Sequence, residues 1–219
     1  MLSHTEENYL KALLKISTQN EGKDEAGTNE MAANLGVKPA TATDMLKKLK
    51  EKGLVEYEKY GKITLSAEGK RNALAILRKH RLWETFLSKK LDFSWDEVHE
   101  VAEQLEHIQS EKLVDKLEEF LNFPEFDPHG DPIPKANGEI PLIKNTLLAI
   151  ADVGALYKVT AVKDTSSVFL KYLEKLNINI GTKIKIVEKI SFDDSFVIEV
   201  NEEYKTNISL KFAKSLLVN

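Results

Sequence analysis

Near the start of the chain, apolar residues recur at helical spacing, with Tyr9, Leu10, Leu13, Leu14 and Ile16 on one face. Ser3-His4-Thr5-Glu6 precedes them with capping-box spacing, in which the Ser and Glu side chains satisfy free backbone donors at the helix start. The polar run 19–27 ends in Gly and predicts a loop. A second helix is predicted from a Thr28 cap to Leu35, burying Met31, Ala32 and Leu35, with Gly36 as its stop. Pro39 opens a third helix at a first-turn position; it runs to Lys52 with Met45, Leu46 and Leu49 facing inward, and Gly53 closes it. Leu54–Tyr57 and Ile63–Leu65 then read as two strands joined around Tyr60-Gly61-Lys62. Three helices with a short Gly turn, followed by a hairpin, give the order of a winged helix-turn-helix. The same order occurs in small domains that bind no DNA, so pattern alone does not assign the activity.

The helical period resumes over Ala67–Leu91, then from Ser94 to about His107, and again from Ser110 to Asn122. Residues 123–134 carry four prolines in twelve positions, which predicts an extended connector because proline lacks an N–H and fixes φ. From Thr146 the pattern alternates in runs at 155–162, 183–188, 196–200 and 208–212. A short helix near 168–176 separates the first two, and Gly181 marks a turn. A compact β-barrel is predicted there. The fold class is therefore α+β, mainly helical. The expected divisions are a winged helix at 1–72, a helical domain at 73–137, a linker at 138–145 and a small β-barrel at 146–219.

Cysteine is absent, which excludes disulfides, thiolate metal sites and thiol catalysis. The N-terminus lacks a basic segment followed by an apolar run, and no apolar stretch approaches the ~20 residues that span a bilayer. A cytoplasmic protein without membrane contact is expected. The net charge of −4 is unevenly spread. Residues 73–145 carry 9 basic against 15 acidic side chains, whereas residues 38–71 carry 9 against 5. An acidic middle beside a basic head suits a chain that gathers cations in one region and meets phosphates with another.

The densest candidate chemistry lies between His80 and His107. His80 and Glu84 are four residues apart, and His99, Glu103, Glu106 and His107 fall within a sector of roughly 100° on a helix turning about 100° per residue. A single pair of this kind usually belongs to a solvated amphipathic face. Two such pairs, the second extended by Glu106-His107, point to divalent-metal binding. Helical bundles also build di-metal hydrolases and oxidases from Glu and His pairs, so an enzyme is the alternative. The ligand list leaves no separate general base or substrate-positioning set, and an enzyme would leave the winged helix without a role. A metal buffer, or an interaction module using the barrel alone, is a third reading.

RKHRLWETFL (78–87), VHEVAEQLEH (98–107) and PHGDPIP (128–134) follow the winged helix in an order that resembles the diphtheria toxin repressor family of metal-dependent transcriptional regulators, which includes the manganese transport regulators. The resemblance covers essentially the whole chain. It implies a homodimeric, non-enzymatic regulator that represses metal-uptake genes from a pseudo-palindromic double-stranded operator and takes no small organic substrate. It also implies a ferrous-transport-A-like barrel at the C-terminus. By residue match, one metal site comprises His80, Glu84 and His99, and the other Asn8, Glu103, Glu106 and His107. Asp164 is the nearest candidate for a barrel ligand to the first site.

Two departures from the family pattern matter. Iron-type members carry Cys and Met where this chain has Glu103 and Asn8. Oxygen ligands suit Mn(II) better than thiolate-loving metals, with Fe(II) as the alternative ion and Zn(II) able to occupy the sites. The family's anion pocket uses an Arg, a Ser and an Asn. Here Arg81 is joined by Asp127 and Asp131, which would repel an anion and are expected to pair with Arg81 instead. His129 is expected to pack the loop, and Trp83 and Trp95 to anchor a core or dimer interface. On the DNA side, Lys38, Pro39, Ala40, Thr41 and Thr43 occupy the first turns of the recognition helix. Lys47 and Lys48 flank its core positions, and Tyr60 and Lys62 lie in the wing. Small side chains in the first turns imply modest direct readout and a heavier reliance on phosphate contacts and DNA shape.

Overall fold

The computed structural model describes residues 2–19, 25–57, 62–142 and 144–219. Two compact units divide the chain: Met1–His80 with Glu103–Glu111 and Pro134–Glu139, and Arg81–Ala102 with Lys112–Ile133 and Ile140–Asn219.

The first unit begins with α1 (His4–Gln19), and the capping box forms as the spacing predicts. Glu6 N–H donates to Ser3 Oγ at 3.3 Å and Ser3 N–H to Glu6 Oε2 at 2.9 Å, satisfying donors that a helix start leaves free. Next come β1 (Ala26–Gly27), α2 (Thr28–Asn34) and α3 (Pro39–Glu51), then β2 (Val55–Tyr57) and β3 (Lys62–Leu65). The three strands pair antiparallel in the order β1-β3-β2. The predicted loop at 19–27 thus ends in a two-residue strand, because Ala26 finds Ile63 opposite it. Gly27, not Thr28, is the cap of α2, its N–H reaching Glu30 Oε2 at 3.3 Å. Gly36 and Gly53 take positive φ of 65° and 69° and end α2 and α3 as left-handed C-terminal residues do. One core closes the unit: Leu10, Leu13, Met31, Leu46, Leu49 and Ile63 are fully buried from the three helices and β3, with Ala26 added by β1 and Val55 by β2. Truncating Leu46 to Ala is expected to cost about 2–5 kcal/mol.

The helix α4 (Ala67–Leu91) spans the predicted range, and α5 (Val98–Leu105) and α6 (Glu111–Phe120) follow. The predicted start of α5 at Ser94 is displaced to Val98. The Ser94 hydroxyl bonds Asp96 and Glu97 and holds the segment as a turn, a competition with the helix that Ser side chains favour. In the second unit, Leu82, Val114, Leu117, Leu121 and Ile133 form one apolar cluster, with Trp83 packed against it.

The C-terminal part contains β4 (Thr146–Leu147), a 3-10 turn at Leu148–Ile150, β5 (Leu156–Val162), α7 (Ser167–Lys175), β6 (Lys183–Ile190), β7 (Ser195–Val200), β8 (Tyr204–Ile208), α8 (Leu210–Lys214) and β9 (Leu216–Val218). The sheet runs β4-β9-β5-β6-β7-β8 and is not the closed barrel expected, since β4 and β8 stand at its two ends. Alternation reports which face of a strand is buried, but not whether the sheet closes on itself. Here Phe169, Leu170 and Leu173 of α7 with Phe212 and Ala213 of α8 fill the core. The strand expected at 208–212 is also corrected. Ser209 caps α8 by accepting the Phe212 N–H, so the Ile-Ser-Leu-Lys-Phe alternation is a strand end followed by a helical turn.

Candidate metal centres and nucleic-acid face

Within the first unit, the end of α5 and the following turn bring Glu103, Glu106 and His107 to α1. Glu106 is completely buried. Its carboxylate bonds His80 Nδ1 at 2.6 Å and lies 2.7 Å from Lys11 Nζ. Burial works against its ionisation, while the His80 hydrogen bond and the Lys11 charge reverse the balance and hold it below the usual carboxylate range. Glu103 is half-exposed, 3.5 Å from Lys11 Nζ. His107 Nδ1 meets Glu7 at 2.5 Å, Gln109 Nε2 donates to the other Glu7 oxygen at 2.8 Å, and the His4 ring stacks on His107 at 4.3 Å. Helix α1 therefore offers His107 the buried carboxylate of Glu7, while Asn8 is exposed. Helical spacing puts Glu7, Asn8 and Lys11 on one flank, so the signal for Glu7 was a second acid beside Asn8.

Within the second unit, Glu84 Oε1 lies 3.1 Å from His99 Nδ1 and 3.9 Å from His129 Nδ1. His80 stands one turn before Glu84 on α4. Ligand atoms of Glu84, Asp127 and His129 all lie within 4.8 Å of one another, and all three residues are buried. His129 is buried against Trp95: its Nε2 lies 3.1 Å from the Trp95 carbonyl, and its Nδ1 lies on the side of Glu84 at 3.9 Å. Trp95 Nε1 donates to the Pro128 carbonyl at 2.7 Å and its ring stacks on His129. Gly130, at φ 85°, holds the loop against β5. A Cβ there would sit 1.9 Å from the Thr160 carbonyl oxygen, and the neighbouring His129 carbonyl accepts the Val162 N–H.

Asp127 Oδ1 accepts the N–H groups of His129 and Asp131 at 2.8 and 2.9 Å. Arg81 lies 3.6 Å from Asp127 and 3.3 Å from Asp131, the pairing expected in place of an anion pocket. Burial first, then the charges of Glu84 and Asp131, push the Asp127 carboxyl well above its ordinary value, and Arg81 only partly opposes them. The carboxyl oxygens of Glu84 and Asp127 and the imidazole of His129 are donors of the kind that hold a divalent cation. Asp164 belongs to neither set. It is part of a turn, with Oδ1 accepting the Ser166 N–H at 2.9 Å, and hydrogen bonding to the Ser166 side chain first, then to its backbone, keeps its carboxyl low.

On the DNA side, Lys38, Pro39, Ala40 and Thr41 are exposed at the start of α3, and the Thr43 hydroxyl is turned back to the Pro39 carbonyl at 2.9 Å. Lys47 and Lys48 are exposed, with Lys47 held only loosely by Asp44 at 3.8 Å. Lys62 pairs with Glu25. Tyr60 lies outside the described residues.

A winged helix joined to helices with clustered carboxylates and imidazoles defines a metal-responsive DNA-binding regulator. Residues 1–63 match the iron dependent repressor N-terminal DNA binding domain, residues 66–135 the iron dependent repressor metal binding and dimerisation domain, and residues 146–219 the FeoA domain. A structure described as a manganese-dependent transcriptional repressor in complex with manganese superposes with a TM-score of 0.86 at 32% identity, covering 97% of this chain and 98% of that one. An HTH-type transcriptional regulator of Methanocaldococcus jannaschii is 34% identical over 120 residues, 55% of this chain and 94% of the relative. The chain belongs to the diphtheria toxin repressor family of metal-dependent transcriptional regulators.

Other matches are partial. The iron-dependent repressor IdeR of Mycobacterium leprae is 30% identical over 133 residues, 61% of this chain and 56% of that protein. A probable metal transport system membrane protein of Chlamydia trachomatis is 40% identical over 85 residues, 39% of this chain and only 19% of its own length. No helix among the described residues is long and apolar enough to cross a membrane.

Proposed function

We propose that this chain is a homodimeric, Mn(II)-activated repressor that binds a pseudo-palindromic operator through α3 and its wing, with Fe(II) as the alternative activator. The observation that carries the metal reading is the buried Glu84, Asp127 and His129 group, whose ligand atoms all lie within 4.8 Å of one another. Glu84 with His99 at 3.1 Å extends this first ligand set. Glu103, Glu106 and His107 form the second set, to which α1 adds the Asn8 amide oxygen or the Glu7 carboxylate already at His107.

Metal activates by favouring one arrangement. Helix α1 opens the winged helix, while residues 103–107 close α5, so an ion held by both limits the freedom of α3. Half-sites about one helical turn (~34 Å) apart in an operator demand fixed recognition helices. The gain in DNA affinity equals the difference in metal affinity between the two arrangements. Repression of metal-uptake genes follows from this sign of coupling, because excess metal then closes its own entry route.

The test is a DNA-binding titration with Mn(II), with Fe(II) under anaerobic conditions and with a chelator. Metal is expected to increase operator affinity at least tenfold and the chelator to reverse it. Equal binding under all three conditions would reject metal activation. Calorimetry is expected to find two ions per chain, the first lost in Asp127→Ala and the second weakened in Glu103→Ala.

A further inference from the structure

The second ligand set already contains a cation. Lys11 Nζ lies 2.7 Å from the buried Glu106 carboxylate and 3.5 Å from Glu103, and the lysine side chain is itself only 17% exposed. Both carboxylates are those assigned to the metal. Lys11 and His80 Nδ1 both hydrogen-bond the same Glu106 oxygen, Oε2, at 2.7 and 2.6 Å. A buried carboxylate requires a counter-charge, and a single short ammonium contact supplies it. A divalent ion bound to Glu103 and Glu106 and the Lys11 ammonium would compete for the same oxygens. Four methylenes tether that ammonium to α1 near the surface, so it can withdraw into water while its stem stays packed.

We propose that Lys11 is a tethered cation that holds the second site until a divalent ion displaces it, so that Lys11 sets the metal concentration at which the site fills. This rests on the reading of Glu103 and Glu106 as metal ligands. Binding is then an exchange: the Lys11–Glu106 ion pair breaks, the ammonium moves to solvent, and the dication takes the carboxylate oxygens. The site gains one net positive charge. Apparent affinity is lower than intrinsic affinity by the fraction of molecules in which Lys11 has withdrawn. At the first site the arrangement differs: the Arg81 guanidinium lies between Asp127 and Asp131 and not on a flexible tether over Glu84. The two sites should accordingly fill at well-separated concentrations.

Mn(II) binding to the full chain, followed by calorimetry and by the electron paramagnetic resonance signal of free Mn(II), tests the exchange. Lys11→Met should tighten the weaker class of site at least tenfold and leave the tighter class within about twofold. Lys11→Arg, which retains the charge, should not tighten it. Without metal, Lys11→Met should melt at a lower temperature than the native chain, and Mn(II) should raise its midpoint by more. A folded Lys11→Met chain whose weaker site is unchanged would overturn the proposal, whereas Glu103→Ala and Glu106→Gln chains that keep both classes intact would overturn the ligand assignment itself. The same Lys11→Met chain in a Glu84→Gln background should show the tightened class alone, which separates the two outcomes if the classes overlap.

Discussion

At the residue scale, Asp127 holds a carboxyl buried against Glu84 and Asp131. Its carboxyl is raised in the folded chain, so the folded state keeps its proton longer than the unfolded state, whose Asp titrates near ~3.9. Metal-free stability should therefore be greatest at low pH with respect to this group. It should fall as pH climbs from about 4 through the raised value, because the unfolded chain ionises first. Asp127→Asn keeps an oxygen for the His129 and Asp131 N–H groups and removes the repulsion. Its thermal midpoint in chelator should match or exceed that of the native chain at neutral pH and lose this part of the pH slope, while stabilisation by Mn(II) shrinks. Equal Mn(II) stabilisation of both chains would remove Asp127 from the site. Glu6 gives the opposite sign. Lys52 at 2.6 Å and the Ser3 N–H lower its carboxyl, so its contribution is present above about pH 4.5 and is lost on acidification. Glu6→Ala should cost about 1 kcal/mol, mostly through the capping box, because the half-exposed Lys52 is screened. The spacing of the 80–107 window marks its carboxylates and imidazoles as candidates, and the fold brings Glu84 to His99 and Glu106 to His80. Asp127 and His129 were not legible from spacing, because they lie more than forty positions from Glu84 in sequence, and only the loop fold forced by Gly130 brings them to it.

At the element scale, the helices whose faces are continuous and whose ends carry Gly or Pro were readable to within a residue or two. Helix α3 starts at Pro39 and α4 spans 67–91, as the periodicity predicts. The failures share one cause: a short polar side chain rewrites the local backbone. Ser94 delays α5, and Ser209 turns an apparent strand into α8. Sheet closure is a different problem, since it depends on which strands meet at the edges and not on their own pattern. For α3 the consequence is functional. Lys47 is exposed and weakly paired, so Lys47→Ala should leave the fold intact, lower affinity similarly across DNA sequences and reduce the salt slope by about one unit. Thr41, exposed in the first turn, should alter base preference when changed. Sequence-independent loss in both variants would mean that α3 contacts phosphates only.

At the scale of the whole molecule, the question is how one ion is chosen over another. The proposed second ligand set offers oxygens from Glu103, Glu106 and an α1 side chain with one imidazole from His107, a donor mix that favours hard ions of high coordination number. Zn(II) should nevertheless bind at least as tightly as Mn(II), because the Irving–Williams order places it higher. Choice must then appear in activation. Zn(II) is satisfied by four ligands in a tetrahedron and can close its shell on Glu103, Glu106, His107 and water without recruiting α1. Mn(II), seeking more oxygens, draws on Asn8 or Glu7 and so acts on the helix that opens the DNA-binding domain. At saturating metal, Mn(II) should therefore raise operator affinity more fully than Zn(II), even where Zn(II) binds more tightly. Replacing Asn8 with Met and Glu103 with Cys should reduce the Mn(II) response relative to Fe(II), since soft sulfur donors replace hard oxygen. Operator titrations with each ion, run beside calorimetry on the same chains, separate occupancy from activation. Equal activation by Mn(II), Fe(II) and Zn(II), unchanged by the double substitution, would show that these side chains bind the ion without choosing it. The control would then lie in whatever makes metal entry costly, and Lys11 is the residue placed to do that.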